Sequence, residues 1–257
     1  MERRGLKPIR LFSSDLDGTL AGDSDASREF ARLWEALPEE TRPLLVYNSG
    51  RLIEDIIEFT AEERLPAADF LIGGVGTMVH SSAHPHLTLE YQTLIGEGFD
   101  VDLIEAELVM MERLKRQPAQ YQHDYKSSWY LHDATSEEIL ELERLLTGSG
   151  HRARIIYSSA RDLDVLPDIA DKGQALAWLC QRLDIGLDEV VVAGDTGNDR
   201  AMFELDAVRG ILPANALPEL ASLAQARADM IATQGKAAWG VIEGLSLFGV
   251  FASSDAA

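Results

Sequence analysis

The feature that most restricts the fold of this chain is a repeated order of apolar segment, polar turn and amphipathic helix. Apolar segments with β character occupy residues 11–14, 43–47 and 189–194, and each runs into a polar turn. The second turn is followed by apolar residues at helical spacing, such as Ile53 and Ile57. Strands that alternate with helices build parallel sheets that carry helices on both faces. The sequence therefore predicts an α/β fold with a Rossmann-like, doubly wound parallel sheet.

The alternation is interrupted between about residue 84 and residue 167. Short strand patterns in this stretch mix with two helical patterns, one over residues 101–111 and one over residues 139–146. Strands and helices without strict alternation are typical of an α+β layer. The strict alternation resumes at residue 171. We therefore expect a core domain made of residues 1–83 and 168–257, with an α+β cap domain of residues 84–167 inserted into it.

The charge and composition exclude several classes of function. The net charge of -20 repels nucleic acid and anionic membrane surfaces, so neither is an expected partner. No stretch approaches the roughly 20 apolar residues that span a bilayer. The single cysteine, Cys180, cannot form an internal disulfide. We expect a cytoplasmic protein that binds a small molecule. If that molecule carries a phosphate group, the protein needs a local positive site to bind it.

Two carboxylates, Asp15 and Asp17, follow the first apolar segment. Side chains alternate along a strand, so these two lie on the same side, at the edge of the sheet where α/β proteins bind ligands. If the strand before Asp195 is a neighbour, its carboxylate converges on them and forms an all-oxygen site that suits Mg²⁺. No His or Cys pair has zinc spacing. Taken alone, the two acids are equally compatible with a simple acidic turn.

Four motifs in order resemble the haloacid dehalogenase superfamily of phosphohydrolases. They are DxDGT at residues 15–19, Ser49 at a strand end, Lys172, and GDxxND at residues 194–199. Together they span most of the chain, and the insert between the second and third resembles the α/β cap of some branches of that superfamily. The resemblance implies a Mg²⁺-dependent phosphatase with a haloacid dehalogenase-like core.

The resemblance also implies a role for each matching residue. Asp15 would attack phosphorus and form an aspartyl-phosphate, and Asp17 would protonate the leaving alcohol and then activate water. Ser49 and Lys172 would hold the phosphoryl oxygens. The implied metal-site residues are Asp15, Asp17 through its carbonyl, Asp195 and Asp199.

Each of these residues also has a simpler interpretation outside the motif order. Ser49 alone would be a helix N-cap, Lys172 a surface lysine and Asp199 a first-turn acid favoured by the helix dipole. Asn198 and Asp199 are implied to orient the metal ligands or Lys172. Only the order of the four motifs raises the catalytic interpretation above these.

A narrower resemblance concerns the insert and the turn before it. Residues 73–77, 125–129 and 157–167 are similar to the sucrose-phosphatase branch, and within it to bacterial mannosylfructose-phosphate phosphatases. One departure is Ser49, where sucrose phosphatases usually carry threonine; both residues supply a hydroxyl. This resemblance implies a disaccharide phosphate as substrate, read by the cap. The implied substrate-binding residues are Gly50, Arg51, Gln122, His123, Lys126, Ser127, Tyr157 and Asn198.

Two alternatives remain open from the sequence. A phosphomutase of the same superfamily would return the phosphoryl group to the sugar. A non-catalytic sugar-phosphate-binding partner of a synthase would need a damaged catalytic set, whereas Asp15, Asp17, Lys172 and Asp195 are all present. A glycosyltransferase that makes the sugar phosphate is the expected upstream partner.

Overall fold

The structure is a computed structural model that describes residues 7–252, apart from the side chain of Ala226. Residues 1–6 and 253–257 of the expected core domain lie outside the described residues. The strands are β1 Leu11–Ser14, β2 Leu44–Asn48, β3 Phe70–Gly73, β4 Met78–His80, β5 Lys115–Arg116, β6 Ser127–Tyr130, β7 Ala153–Ser158, β8 Asp162–Pro167, β9 Val190–Ala193, β10 Arg209–Leu212 and β11 Met230–Ala232. The α-helices are α1 Ser24–Glu35, α2 Ile53–Glu62, α3 Pro85–Ile95, α4 Val101–Leu108, α5 Ser136–Gly148, α6 Lys172–Arg182, α7 Arg200–Glu204, α8 Pro218–Ala226 and α9 Ala237–Leu247.

Seven strands form the main sheet, in the order β11-β10-β9-β1-β2-β3-β4. All neighbours are parallel except β4, which runs antiparallel to β3 after a tight turn. β1 lies at the centre, between β2 and β9, with Ser14 paired to Tyr47 on one side and Ala193 on the other. The three strands that precede Asp15, Ser49 and Asp195 are therefore direct neighbours and end at the same edge.

Helices cover both faces of the main sheet, as the sequence predicts. Alternate strand residues point to opposite faces, so Leu11 belongs to one buried cluster and Phe12 to the other. The first cluster is completed by residues of α3, α6, α7 and α8, and the second by residues of α1, α2 and α9. The doubly wound α/β fold is confirmed. None of the helices within residues 7–252 has the length and apolar character needed to cross a bilayer.

A second, antiparallel sheet in the order β5-β6-β8-β7 forms the cap sheet. One side of it is covered by α4 and α5, through a separate cluster that includes Ile104, Trp129 and Leu146. Helix α5 begins with a capping box in which Thr135 and Glu138 each bond to the other's backbone. The insert therefore has its own hydrophobic centre, as expected for an α+β layer.

One helix of the insert was not predicted. Residues 85–95 form α3, so the stretch from 84 to 167 contains three α-helices and the prediction of two was wrong. Leu87, Tyr91 and Ile95 pack into the first cluster of the main sheet, and the Tyr91 hydroxyl donates to the Gly76 carbonyl at 2.6 Å. The domain boundary at residue 84 stays a prediction. Helix α3 follows that boundary in sequence, yet it packs with the core.

Candidate active site

Lys172 occupies the centre of the site. Its side chain is fully buried, and Nζ lies 2.7 Å from Asp15 Oδ1 and 2.6 Å from Asp199 Oδ1. Asp171 caps the N-terminus of α6 by accepting from the backbone N of Gln174 at 2.7 Å. Asn48 Nδ2 donates to the Lys172 carbonyl at 2.9 Å, which ties the start of α6 to the end of β2. Lys172 is therefore a buried, paired ammonium and not a surface lysine.

Three carboxylates surround this lysine. Asp15, Asp195 and Asp199 each offer an oxygen, and these oxygens lie within 4.8 Å of one another. Asp15 directly follows β1, and its backbone N donates to the Ala193 carbonyl at 3.0 Å. Asp195 and Asp199 come from the turn after β9. We call these three residues the acidic cluster.

Two contacts bring Asp195 close to the turn after Asp15. Thr19 Oγ1 donates to Asp195 Oδ1 at 3.3 Å, and Asn215 Nδ2 donates both to Asp195 Oδ2 at 3.2 Å and to the Gly18 carbonyl at 2.8 Å. Gly18 lies beneath this carboxylate with φ +79°, and a Cβ added there would stand 2.3 Å from Asp195 Oδ2. The glycine of the DxDGT motif is therefore required both by its left-handed backbone and by the approach of Asp195.

The acidic cluster carries more negative charge than Lys172 balances. Burial raises the pKa of Asp15 well above its usual range, although Lys172 opposes the rise. Burial and the neighbouring Asp199 raise the pKa of Asp195 to about 7. Burial alone would lower the pKa of Lys172, but the carboxylates of Asp15 and Asp199 raise it. With all three carboxylates ionised, one ammonium leaves two negative charges, which a divalent cation with oxygen ligands would neutralise, so these residues fit Mg²⁺.

Asp17 stands apart from the acidic cluster. Its carboxylate accepts from Arg51 Nε and from the Arg51 Nη2 amino group, each at 2.8 Å. Arg51 also donates to Asp55 at 2.9 and 3.0 Å, and its guanidinium stacks 3.8 Å above the ring centre of Phe59. The two predicted catalytic acids thus have different surroundings: Asp15 is buried beside a lysine, and Asp17 is exposed and held by an arginine.

A cavity of about 340 Å³ connects this edge of the main sheet with the cap sheet. Asp15, Asp17, Ser49 and Asn198 line it from the core, together with Gly50, Arg51 and Thr196. The cap supplies Lys126 and eight further residues: Gln117, Tyr121, Tyr130, Ser158, Ser159, Arg161, Asp162 and Asp164. The core and the cap therefore share one site.

Among the cap residues predicted to bind substrate, Lys126 is the one that lines this cavity. Its Nζ lies 3.0 Å from Asp164 Oδ1 and donates to the Tyr121 carbonyl at 3.0 Å. Asp164 and Asp162 are two residues apart on β8, so their side chains lie on the same face of the cap sheet. This spacing is the signal in the sequence that could have found them.

The other four predicted cap residues are not among the residues that line the cavity in the described structure. The amide of Gln122 donates to the carbonyls of Gln117 and Ser128 and accepts from the Ser128 backbone N. The buried Ser127 hydroxyl donates to Glu105 Oε1 and accepts from Trp129 Nε1. Both side chains are occupied by structural hydrogen bonds within the cap.

His123 and Tyr157 are likewise held by bonds outside the cavity. His123 Nε2 lies 2.6 Å from Thr77 Oγ1 of the core, and Nδ1 accepts from the Tyr125 backbone N at 3.2 Å. The Tyr157 hydroxyl donates to the Leu131 carbonyl at 2.8 Å and accepts from the Ala134 backbone N at 3.0 Å. His123 therefore joins the cap to the core, and Tyr157 fixes the turn after β6.

Comparison with known proteins identifies the family. The sucrose-6F-phosphate phosphohydrolase family model matches residues 8–249. The mannosylfructose-phosphate phosphatase of Agrobacterium fabrum is 52% identical over 95% of this chain and 99% of its own.

Solved structures agree with this assignment. The sucrose-phosphatase of Synechocystis sp. PCC6803, solved with sucrose and phosphate, is 27% identical with a TM-score of 0.84, covering 95% of this chain and 100% of that one. A haloacid dehalogenase-like hydrolase of Bacillus subtilis shares the fold at a TM-score of 0.65 and 17% identity, covering 96% of this chain and 94% of that one. The chain therefore belongs to the sucrose-6F-phosphate phosphohydrolase family and is a phosphatase with a haloacid dehalogenase-like fold.

Proposed function

We propose that this protein removes phosphate from a disaccharide phosphate, with mannosylfructose 6-phosphate as the preferred substrate and sucrose 6-phosphate as the second candidate. The observation that carries the proposal is a cavity lined at one end by Asp15, which pairs with the buried Lys172, and at the other by polar cap residues. The 52% identity to a mannosylfructose-phosphate phosphatase supports the first sugar over the second.

In the proposed reaction, a carboxylate oxygen of Asp15 attacks phosphorus as the bond from phosphorus to the sugar oxygen breaks. This gives an aspartyl-phosphate and the free disaccharide. Water then attacks the aspartyl-phosphate, releases inorganic phosphate and restores the Asp15 carboxylate. Lys172 and Ser49 would hold phosphoryl oxygens during both steps. Lys172 is suited to this because its pairing with two carboxylates keeps it protonated.

Asp17 is the proposed proton carrier. It would give a proton to the leaving sugar oxygen in the first step and take one from the attacking water in the second. Both Asp15 and Asp17 line the cavity, and Asp17 is the exposed one of the two. Arg51 would set the direction of the Asp17 carboxylate through the two bonds it donates.

Mg²⁺ is the proposed cofactor, held by carboxylate oxygens of Asp15 and Asp195 and by the Asp17 carbonyl, with Asp199 beside them. When bound, it would supply positive charge that offsets the charge of the transferring phosphoryl group. The excess negative charge of the acidic cluster supports this assignment.

The cap is proposed to recognise the sugar. Lys126 and Asn198 line the cavity and remain proposed contacts, as do Gly50 and Arg51 near the phosphate end. Gln122, His123, Ser127 and Tyr157 would act indirectly, by holding the backbone around the cavity. A glycosyltransferase as the upstream source of substrate and a cytoplasmic location both stay predictions.

The test is phosphate release from a panel that contains mannosylfructose 6-phosphate, sucrose 6-phosphate and simple hexose phosphates. We expect the first to give the highest kcat/KM and Asp15→Asn to abolish release from all of them. Asp168→Asn, the same change at an exposed position, should leave release unchanged. Equal kcat/KM across the panel, or full activity of Asp15→Asn, would refute the proposal.

The same assay separates the remaining alternatives. A phosphomutase would convert the sugar phosphate to an isomer with little free phosphate, and chromatography of the products distinguishes the two. A non-catalytic binding partner would bind the sugar phosphate without releasing phosphate. The complete set of Asp15, Asp17, Lys172 and Asp195 supports hydrolysis over mere binding.

A further inference from the structure

A cap residue contacts the segment that carries Lys172. Arg154 lies in the cap strand β7, and its Nη1 donates to Asp171 Oδ2. Asp171 is the N-cap of α6 and directly precedes Lys172. The Asp171 side chain is only 5% exposed, whereas that of Arg154 is 29% exposed. The buried carboxylate therefore relies on the cap for its counter-charge.

The backbone around Lys172 has little freedom to move. Asp171 Oδ1 accepts from the Gln174 backbone N at 2.7 Å, so both of its oxygens are engaged. Gly76 packs against the same backbone, where an added Cβ would stand 2.2 Å from the Asp171 carbonyl oxygen. Arg154 thus completes the support of this segment from the side of the cap.

The other end of β7 reaches the second segment that contacts the Lys172 ammonium. A Cβ added at Gly197 would lie 3.3 Å from the Tyr157 carbonyl and 3.9 Å from Ser158 Cα. Gly197 begins the turn that ends at Asp199, whose Oδ1 lies 2.6 Å from Lys172 Nζ. One cap strand therefore contacts two of the three core segments that meet at this ammonium, the start of α6 and the turn that carries Asp199.

From this arrangement we infer that Arg154 is a positioning residue for the phosphoryl-transfer step. Through Asp171 it holds the start of α6, and so holds Lys172 Nζ between Asp15 and Asp199 whenever the cap occupies this position. The inference rests on the proposed role of Lys172. It differs from sugar recognition by the cap, because the effect reaches the reacting phosphate whatever alcohol is attached to it.

The test compares Arg154→Met with wild type on mannosylfructose 6-phosphate and on p-nitrophenyl phosphate, which carries no sugar. Small displacements of catalytic groups cost about ten- to a hundredfold in rate, so we expect kcat to fall by about tenfold or more on both substrates with KM changed less than about threefold. Arg154→Lys, which keeps the charge but lacks the planar guanidinium, should recover part of the loss.

Arg152 supplies the matched control. It lies two residues before Arg154 and pairs with Asp168 at 3.1 Å, with both side chains about half exposed and neither on the start of α6. Arg152→Met should keep kcat within about twofold of wild type on both substrates. An equal loss in Arg152→Met would overturn the inference, as would a loss for Arg154→Met that appears only in KM for the disaccharide phosphate.

A second variant keeps the test decisive if Arg154→Met does not fold. Asp171→Asn retains an oxygen for the helix cap but loses the charge that pairs with Arg154. We expect it to reproduce the kcat loss, and the double variant to be little worse than either single variant. Additive losses would refute the coupling. Lys172→Met separates this inference from the proposed role of Lys172. Full activity of Lys172→Met would refute the role of Lys172 itself. An inactive Lys172→Met together with a fully active Asp171→Asn would refute only the role of Arg154.

Discussion

The carboxylate of Asp199 accepts hydrogen bonds both from the ammonium of Lys172 and from the backbone of the turn that carries Asp195. Its Oδ1 lies 2.6 Å from Lys172 Nζ, and its Oδ2 accepts from the backbone N of Asp195 at 2.9 Å and of Thr196 at 3.0 Å. One side chain therefore fixes the lysine and the turn that carries Asp195. Because the carboxylate has two acceptor oxygens and all of its partners are donors, an amide cannot replace it without conflict.

Asp199→Asn should therefore weaken both the fold and the metal site. The new amide nitrogen must face either Lys172 or the backbone donors, which leaves buried donors unpaired at a cost of about 1–3 kcal/mol. We expect a lower free energy of unfolding in urea and a higher Mg²⁺ concentration for half-maximal activity. Asp206→Asn, at an exposed position, serves as control. A variant at Asp199 with wild-type values in both measurements would contradict this role.

Gly18→Ala tests the approach of Asp195 to the turn after Asp15. The left-handed backbone costs alanine about 1 kcal/mol, and the added Cβ would also collide with Asp195 Oδ2. We expect a loss of stability together with weaker activation by Mg²⁺. Gly22→Ala is a close control, because Gly22 also has a left-handed φ, of +111°, but nothing lies within 4 Å of an added Cβ. Gly22→Ala should lose stability alone, and weaker Mg²⁺ activation in both variants would argue against the contact.

Asp17→Asn tests the assignment of proton transfer. General acids contribute about 10²- to 10⁴-fold, but only where the leaving group needs a proton. We expect kcat on a disaccharide phosphate to fall much further than kcat on p-nitrophenyl phosphate, whose leaving group departs readily as an anion. Arg51→Met should also lower kcat more on the disaccharide phosphate than on p-nitrophenyl phosphate, but both losses should be smaller than for Asp17→Asn. This is because the variant removes the ion pair that orients Asp17 and keeps the carboxylate itself. Equal losses on both substrates would assign Asp17 a different task.

The catalytic end of the cavity could be predicted because its residues occupy positions that the fold dictates. Asp15 and Asp195 follow adjacent parallel strands, and the carboxyl ends of adjacent parallel strands lie close together at one edge of the sheet. Lys172 was found through its place among the motifs, since a single lysine in a polar turn has no distinguishing pattern. Its ammonium pairs with Asp15 and Asp199, and its carbonyl accepts from Asn48, three residues that are remote from it in sequence.

At the cap end, four of the five residues predicted to bind substrate do not line the cavity of the described structure, and Gln122 shows the reason. Its amide satisfies three backbone groups of the cap, a use that depends on the fold of the loop and not on residue type. Helix α3 was missed for a similar reason, since Leu87, Tyr91 and Ile95 give a sparse apolar face that is recognisable only against the main sheet. Polar residues in a cap can serve the cavity or the scaffold, and composition does not separate the two.

Lys126→Met tests whether the cap end of the cavity recognises the sugar. The ammonium is almost fully buried beside Asp164, so its loss removes a charged donor from the cavity and leaves that carboxylate with the Ser128 hydroxyl but without a counter-charge. Hydrogen bonds to charged groups contribute about 1.5–3 kcal/mol, which corresponds to roughly a ten- to hundredfold rise in KM for the disaccharide phosphate. KM for p-nitrophenyl phosphate should change little. The exposed Lys115→Met is the control, and an equal rise in KM for both substrates would oppose sugar recognition by Lys126.

His123 gives the junction between cap and core a defined response to pH. Burial and the nearby Lys126 lower the pKa of His123 to about 4, although Asp124 and Asp164 oppose the shift. Because Nδ1 accepts from the Tyr125 backbone, the neutral ring carries its proton on Nε2 and donates it to Thr77. A second proton on Nδ1 would break the bond to Tyr125, so the folded protein resists protonation.

Since the pKa of His123 is lower in the folded chain than the usual value near 6.5, its contribution to stability is complete above about pH 6.5 and is lost as the pH falls towards 4. We expect wild type to lose about 1 to 2 kcal/mol more unfolding free energy than His123→Asn between pH 7.5 and pH 4.5, after allowance for solvent screening. Urea unfolding at the two pH values measures this difference. His86→Asn, which replaces an exposed histidine, should follow wild type. If His123→Asn loses stability as steeply as wild type over that range, the histidine is not the group whose protonation loosens the junction.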